Sequence, residues 1–264
     1  MSPAQPLTLI TGASSGIGRA LAREFAHRGH ALVLTARREA ELQALADTIE
    51  AEGRVHPIVV ASDLGTPAGV AAFAEALRAR GLEPAFLVNN AGFGLLGNAA
   101  QLDRARQLAM IDLNMRALTD LTLRLLEGIK RRRGGILNVA STAGFMPGPS
   151  MAVYHASKAY VLSFTEALHA ELQMEGVRVC ALCPGPVATE FFQQAGKPDV
   201  DLPSFLLRTP ERVAREGYEG FIAGHRVVVP GTPNRILTVL ARVLPRRLML
   251  ALSARYWKQA GAGG

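Results

Sequence analysis

An α/β fold, a single doubly wound parallel sheet with helices on both faces, is what the sequence predicts, and three observations carry it. Short apolar runs alternate with helical patterns along nearly all of the 264 residues. The first run passes directly into a glycine-rich turn that opens a helix. No linker or repeat divides the pattern, and the length suits one large domain.

The first strand, residues 7–10, runs into Thr11, Gly12, Ala13, Ser14, Ser15, Gly16, Ile17 and Gly18. A helical pattern (Ile17, Leu21, Phe25) follows and ends near Gly29. Strand, glycine turn, helix is the context in which such a motif binds a dinucleotide, and it makes the sheet Rossmann-like. Gly12 permits the turn, Gly16 lets backbone approach a pyrophosphate, and Gly18 lets helix and strand pack closely. The spacing is Gly-x-x-x-Gly-x-Gly, so Ser14, Ser15 and Ile17 also belong to the expected cradle.

The second strand, 31–35, is followed by Ala36, Arg37 and Arg38. A site selective for NAD wants a carboxylate here for the ribose 2′-hydroxyl, whereas guanidinium groups chelate a 2′-phosphate. Arg37 and Arg38 could also simply begin the solvated helix over 39–52; NADP(H) is the favoured reading, with Ser14 adding a hydroxyl. The third strand, 58–61, leads to Asp63, which can accept from an adenine amino group or cap the helix near 67–80. The fourth, 85–88, opens into Asn89, Asn90, Ala91 and Gly92, either a plain turn or a small-residue bed for a flat cofactor.

A long helical pattern from about residue 102 to 132 contains Asn114, where an interior Asn usually faces solvent. The fifth strand, 136–140, ends at Ser141, and a helix over about 152–174 carries Tyr154 and Lys158. At i and i+4 the two share a helix face. An ammonium close to the phenol favours phenolate and lowers its pKa from about 10, as a general acid/base needs. An isolated Tyr-x-x-x-Lys is usually structural; here it sits after a nucleotide motif. The sixth strand, 177–182, opens into Pro184, Gly185, Pro186, Val187, Ala188 and Thr189. A loop with Phe191, Phe192 and Phe205 follows, then a helix starting at Thr209 and Pro210, and a last strand over 227–229.

Composition narrows the class. Hydrophobic residues make up 49% of the chain, enough to bury a large core without staples. Cys180 and Cys183 lie three apart in a strand, so their thiols diverge and read as packing rather than as half a metal site. The first residues lack the basic start and apolar core of a secretory signal, and no apolar run reaches the ~18 residues of a membrane span. A cytoplasmic setting is the expectation. Residues 1–219 hold 22 basic and 22 acidic side chains, whereas 220–264 hold seven basic and none acidic. That balance argues against general nucleic-acid binding and confines any anionic partner to the tail.

Taken together, residues 11–18, Asn89 to Gly92, Asn114, Ser141, Tyr154 with Lys158, and 184–189 resemble the short-chain dehydrogenase/reductase family over about residues 5–230. The resemblance implies that Tyr154 exchanges the proton at the substrate oxygen and that Ser141 polarises the carbonyl. It implies further that Lys158 grips the nicotinamide ribose and lowers the tyrosine pKa, that Asn114 holds a water in a proton relay, and that 184–189 contacts the carboxamide. The departure at Ala36 and Arg37 is toward NADP-preferring members. A homo-dimer or homo-tetramer is expected by the same analogy. A non-catalytic cofactor-binding regulator of the same fold is the competing class, which would have no need of the proton relay.

The catalytic unit is expected to span 1–232, with 233–264 as a basic amphipathic extension. Ile236, Val239, Leu240, Val243 and Leu244 form a stripe with Arg235 and Arg242 off it; Pro245 breaks the run before Arg246 and Arg247, and a second apolar segment ends at Tyr256 and Trp257. Covering a substrate cleft or a subunit contact is favoured over lying on an anionic membrane. Leu95, Leu96, Phe145, Met146, Met151, Phe191 and Phe205 fall near the expected pocket, with Phe145 and Phe191 chosen as substrate contacts, and suggest an apolar substrate.

Overall fold

A computed structural model describes residues 5–187, 191, 195 and 204–257. Seven parallel strands form one sheet in the order β3-β2-β1-β4-β5-β6-β7: β1 Leu7–Thr11, β2 Ala31–Thr35, β3 Ile58–Val59, β4 Phe86–Asn89, β5 Gly135–Val139, β6 Arg178–Leu182 and β7 Val227–Val228. The expected edge strands are thus shorter than their apolar runs, which at a sheet edge have one partner only. Chain order reverses between β1 and β4, which opens a crevice beyond their carboxyl ends.

Helices α1 (Gly16–His27), α2 (Glu39–Ala51) and α7 (Pro210–Ile222) cover one face, and α3 (Pro67–Ala79), α5 (Leu118–Arg131) and α6 (Ala152–Leu172) the other. The strands feed both cores by alternation: Leu9, Val33 and Val179 enter one, Ile10, Leu34 and Cys180 the other. Cys180 and Cys183 are free, buried thiols in different clusters, as strand geometry requires. Between the layers, Asn89 donates to Thr122 and to Asn138, which donates to Thr165, at 2.9–3.0 Å. Buried polar groups so paired fix the register of β4 and β5.

The long pattern over 102–132 is broken where the sequence carries no warning. Helix α4 (Arg104–Ile111) passes into a π-helical segment, Asp112–Ala117, and then into α5. Beyond β7, α8 (Thr232–Val243) and α9 (Arg246–Trp257) form the tail, separated by Pro245. Among the described residues no helix is long and apolar enough to cross a membrane.

Candidate active site

The loops after β1 to β6 meet at the carboxyl edge around one large cavity of about 1180 Å³. Its floor is the glycine turn. Gly12 adopts φ +65°, and a Cβ on Gly18 would sit 2.2 Å from the Gly12 carbonyl oxygen, so this close approach of helix to strand admits no side chain. The Asn90 amide donates to the Thr11 and Gly12 carbonyls at 3.0 and 3.1 Å, and the Thr11 hydroxyl accepts from the Asn90 and Ala91 N–H groups. Asn90, Ala91 and Gly92 are therefore part of the turn's scaffold as well as of the cavity wall. Helix α3 has its first turn capped by the Thr66 hydroxyl and α7 by Thr209. Helix α1 has no such side-chain cap, and its amino end faces the cavity with Ser15, Gly16 and Ile17.

At one end of this cavity stand Ser14, Ala36, Arg37, Arg38 and Asp63. Arg38 donates to the Ser14 hydroxyl at 3.2 Å, which orients both toward the same volume. Asp63 does not cap α3, where Thr66 does that work; its carboxylate instead accepts from the Gly65 N–H at 3.0 Å.

At the other end stand Ser141 and Tyr154, both lining the cavity. Ser141 closes β5, accepts from the Ala143 N–H at 3.1 Å and donates to the Pro184 carbonyl at 3.4 Å. One side of Tyr154 faces the cavity, while packing around the rest of it makes phenolate formation expensive. Burial pushes the phenol up to about 12, and the neighbouring Ser141 hydroxyl only partly opposes this. Lys158 lies beneath, buried, with Nζ donating to the Val139 carbonyl at 2.8 Å and 5.8 Å from the centre of the Tyr154 ring. Burial pushes the lysine down to about 8. The expectation that Lys158 holds the phenol below its ordinary value is thus not met in the protein alone, where desolvation dominates both groups.

Asn114 does not face solvent, as an interior Asn usually does. It is buried in the π-helical segment, accepts from the Phe93 N–H at 3.1 Å, and donates to the Phe93 carbonyl and the Ser157 hydroxyl at 2.9 and 3.1 Å. Both amide protons are committed to protein, and the side chain does not line the cavity. It acts on the site through Gly92, where a Cβ would fall 2.9 Å from the Asn114 oxygen and 3.7 Å from Lys158 Nζ.

A chain with this sheet order, this glycine turn and a Ser-Tyr-Lys set at its carboxyl edge matches a family model described as short chain dehydrogenase over residues 6–199. The chain belongs to the short-chain dehydrogenase family. It is an oxidoreductase of that family. Among curated relatives, sulfoacetaldehyde reductase 2 of Chromohalobacter salexigens is 42% identical over 188 residues, covering 70% of this chain and 74% of its own length. Among solved structures, a short-chain dehydrogenase from Sphingobium yanoikuyae in complex with NADPH superposes with a TM-score of 0.80 at 34% identity, covering 96% of this chain and 95% of that one. The bulky-bulky ketone specific alcohol dehydrogenase of Comamonas testosteroni superposes at 0.75 and 29% identity, covering 96% and 93%.

Pro184, Gly185 and Val187 line the cavity of this dehydrogenase; Thr189 lies outside the described residues. Of the expected substrate contacts, Phe191 lines the cavity with its ring 5.3 Å from that of Tyr154. Phe145 does not. It packs against the cluster of Leu118, Val161 and Leu162, with the Arg242 guanidinium 4.9 Å above its ring. Of the other apolar candidates, Met146 and Met151 line the wall, whereas Leu95 and Leu96 are core and Phe205 is exposed. Sequence reasoning missed Phe93, Arg106, Leu113 and His155; of the tail stripe, Leu240 and Leu244 line the wall as the cleft-covering reading expects, joined by Leu237 and Met249, which it did not name. The tail stripe was the available signal, but periodicity does not say what a stripe faces.

Proposed function

We propose that this protein reduces the carbonyl of an apolar ketone, aldehyde or 3-oxoacyl group with NADPH, or runs the reverse oxidation, with Tyr154 as the general acid/base. The observation that carries this reading is Ser141 and Tyr154 together at the wall of an apolar cavity, with Lys158 buried beneath them. The cradle fits a dinucleotide: a side chain at Gly12 or Gly18 would collide with backbone, and an uncapped helix amino end faces the same space.

Gly12, Ser15, Gly16, Ile17 and Gly18 would hold NADPH, which would supply hydride for a carbonyl carbon. The residues of the chain handle the oxygen. Ser141 donates to it and Tyr154 gives it a proton, so the developing alkoxide never stands unneutralised. A phenol held near 12 is fully protonated at neutral pH, which suits reduction; the reverse direction must first remove that proton. Lys158, cationic below about pH 8, stabilises the phenolate left after transfer. Asn114 is a positioning residue that fixes Phe93, Gly92 and Ser157 around these groups.

NADPH is favoured over NADH because Ala36 replaces the carboxylate an NAD site needs, and Ser14, Arg37 and Arg38 surround that end of the cavity. An apolar substrate is favoured by Met146, Met151, Phe191 and the leucines of α8. Two buried free thiols suit a reducing, cytoplasmic setting, and a homo-oligomer is proposed from the family resemblance. The test is consumption of NADPH and NADH against a panel of bulky ketones and 3-oxoacyl thioesters, with Arg37→Ala beside wild type. Turnover with NADPH, and a variant weakened at least tenfold for NADPH but little for NADH, is expected. No turnover across the panel, or equal losses for both cofactors, contradicts the reading.

A further inference from the structure

The tail helices have a second apolar face that the cavity does not use. On α8, Leu237, Leu240 and Leu244 line the cavity. Ile236, Val239 and Val243, also at i, i+3 and i+7, are 56, 60 and 73% exposed. On α9, Met249 is buried, whereas Leu248 and Leu250 stand 45 and 46% exposed. Scattered surface leucines need no explanation, but Ile236, Val239 and Val243 form one exposed stripe on α8, and α9 adds Leu248 and Leu250.

The tail's own charge has one sign. Residues 220–264 hold seven basic side chains and no acidic one. Arg226 and Arg242 lean on Glu166, and Arg235 on Glu216. Arg246, Arg247 and Arg255 are exposed and enter no ion pair among the described residues.

We propose that α8 and α9 dock this face on an anionic lipid surface, the aliphatic side chains entering the headgroup region and the arginines meeting the phosphates. Charge complementarity selects that occupant. A second copy of the chain in a two-fold contact would set each arginine cluster against itself, with no carboxylate from the tail to offset it. An anionic bilayer accepts both halves of the surface at once, since apolar insertion and basic attraction add. Docking places one wall of the substrate cavity on the lipid, where an apolar substrate dissolves. That last consequence rests on the proposed reaction; the docking does not, and its readout needs no turnover.

The experiment is sedimentation of the full chain with vesicles of phosphatidylcholine alone, or with roughly one third phosphatidylglycerol. Binding to the anionic vesicles, release at high salt and little binding to neutral ones are expected. Arg246→Gln with Arg247→Gln lowers the affinity about thirtyfold, from about 1 kcal/mol per basic residue. Val239→Ser with Val243→Ser also weakens it, while both variants keep the wild-type melting temperature. Absent binding, equal binding to neutral vesicles, or binding untouched by the serine variant overturns the proposal. A serine variant that turns a dimer into a monomer, with no vesicle binding by wild type, assigns the face to a second copy and overturns it equally.

Discussion

Tyr154 and Lys158 show how strongly the water excluded around a side chain sets its charge. Burial raises the phenol to about 12 and lowers the ammonium to about 8, so at neutral pH the pair is a protonated acid above a cation. The pH dependence of reduction follows from these directions. Lys158 is charged below about 8 and loses its proton above it, while Tyr154 stays protonated across the range. The reductive kcat/KM should be flat between about pH 6 and 7.5 and fall as pH rises past 8. A rate that climbs with pH through 8 would mean that phenolate is the working form. The pairing itself was legible in the sequence, because i,i+4 spacing puts two side chains on one face. The outcome of their electrostatics was not, because it depends on the packing around them. Phe145 failed as a substrate contact for the same kind of reason: it packs on the core beneath Arg242 and leaves that part of the wall to Met146.

At the scale of elements, two local devices shape the site, and only one was visible beforehand. The glycine turn announces itself by spacing and flanking pattern. A methyl group on Gly18 would stand 2.2 Å from the Gly12 oxygen and 2.4 Å from the Asn90 amide. Gly18→Ala should therefore cost about 1–3 kcal/mol of stability and weaken NADPH binding by spreading helix from strand. An unchanged melting temperature with unchanged NADPH affinity would show that the turn yields without loss. The π-helical segment, by contrast, has no sequence signature. It carries Asn114 inward, where three hydrogen bonds tie the π-helical segment to α6 and to the strand-end loop at Phe93. Residue 114 was found from the resemblance, and its geometry only from the fold. Asp63 followed the opposite course: two roles were open in the sequence, and Thr66 removed one of them by taking the cap.

The whole molecule is a sheet whose order reverses next to its first strand, and the alternation of apolar runs was enough to expect that. The tail was harder to read, since a stripe seen in sequence can face a cavity, a lipid or another chain, and here adjacent stripes face different ways. Global stability depends on a residue far from the site. His30 is buried between β1 and α7, bonded to the Thr8 hydroxyl at 2.7 Å and to Tyr218 at 3.2 Å, and burial lowers its pKa to about 4. Between about pH 6.5 and 4 the unfolded chain binds a proton there that the folded chain refuses, so stability falls with falling pH, by up to about 3 kcal/mol. Urea midpoints from pH 7.5 to 4.5 should show that slope, and His30→Asn should flatten it; an equal slope in the variant would place the loss elsewhere.

The central claim is that the Tyr154 hydroxyl delivers the proton at the carbonyl oxygen. Single-turnover oxidation of bound NADPH by a ketone from the panel, in wild type and in Tyr154→Phe, measures it directly. The rate should fall by about 10²–10⁴ in the variant, with NADPH affinity within a few-fold of wild type. A phenylalanine enzyme that turns the ketone over as fast as wild type would contradict the account.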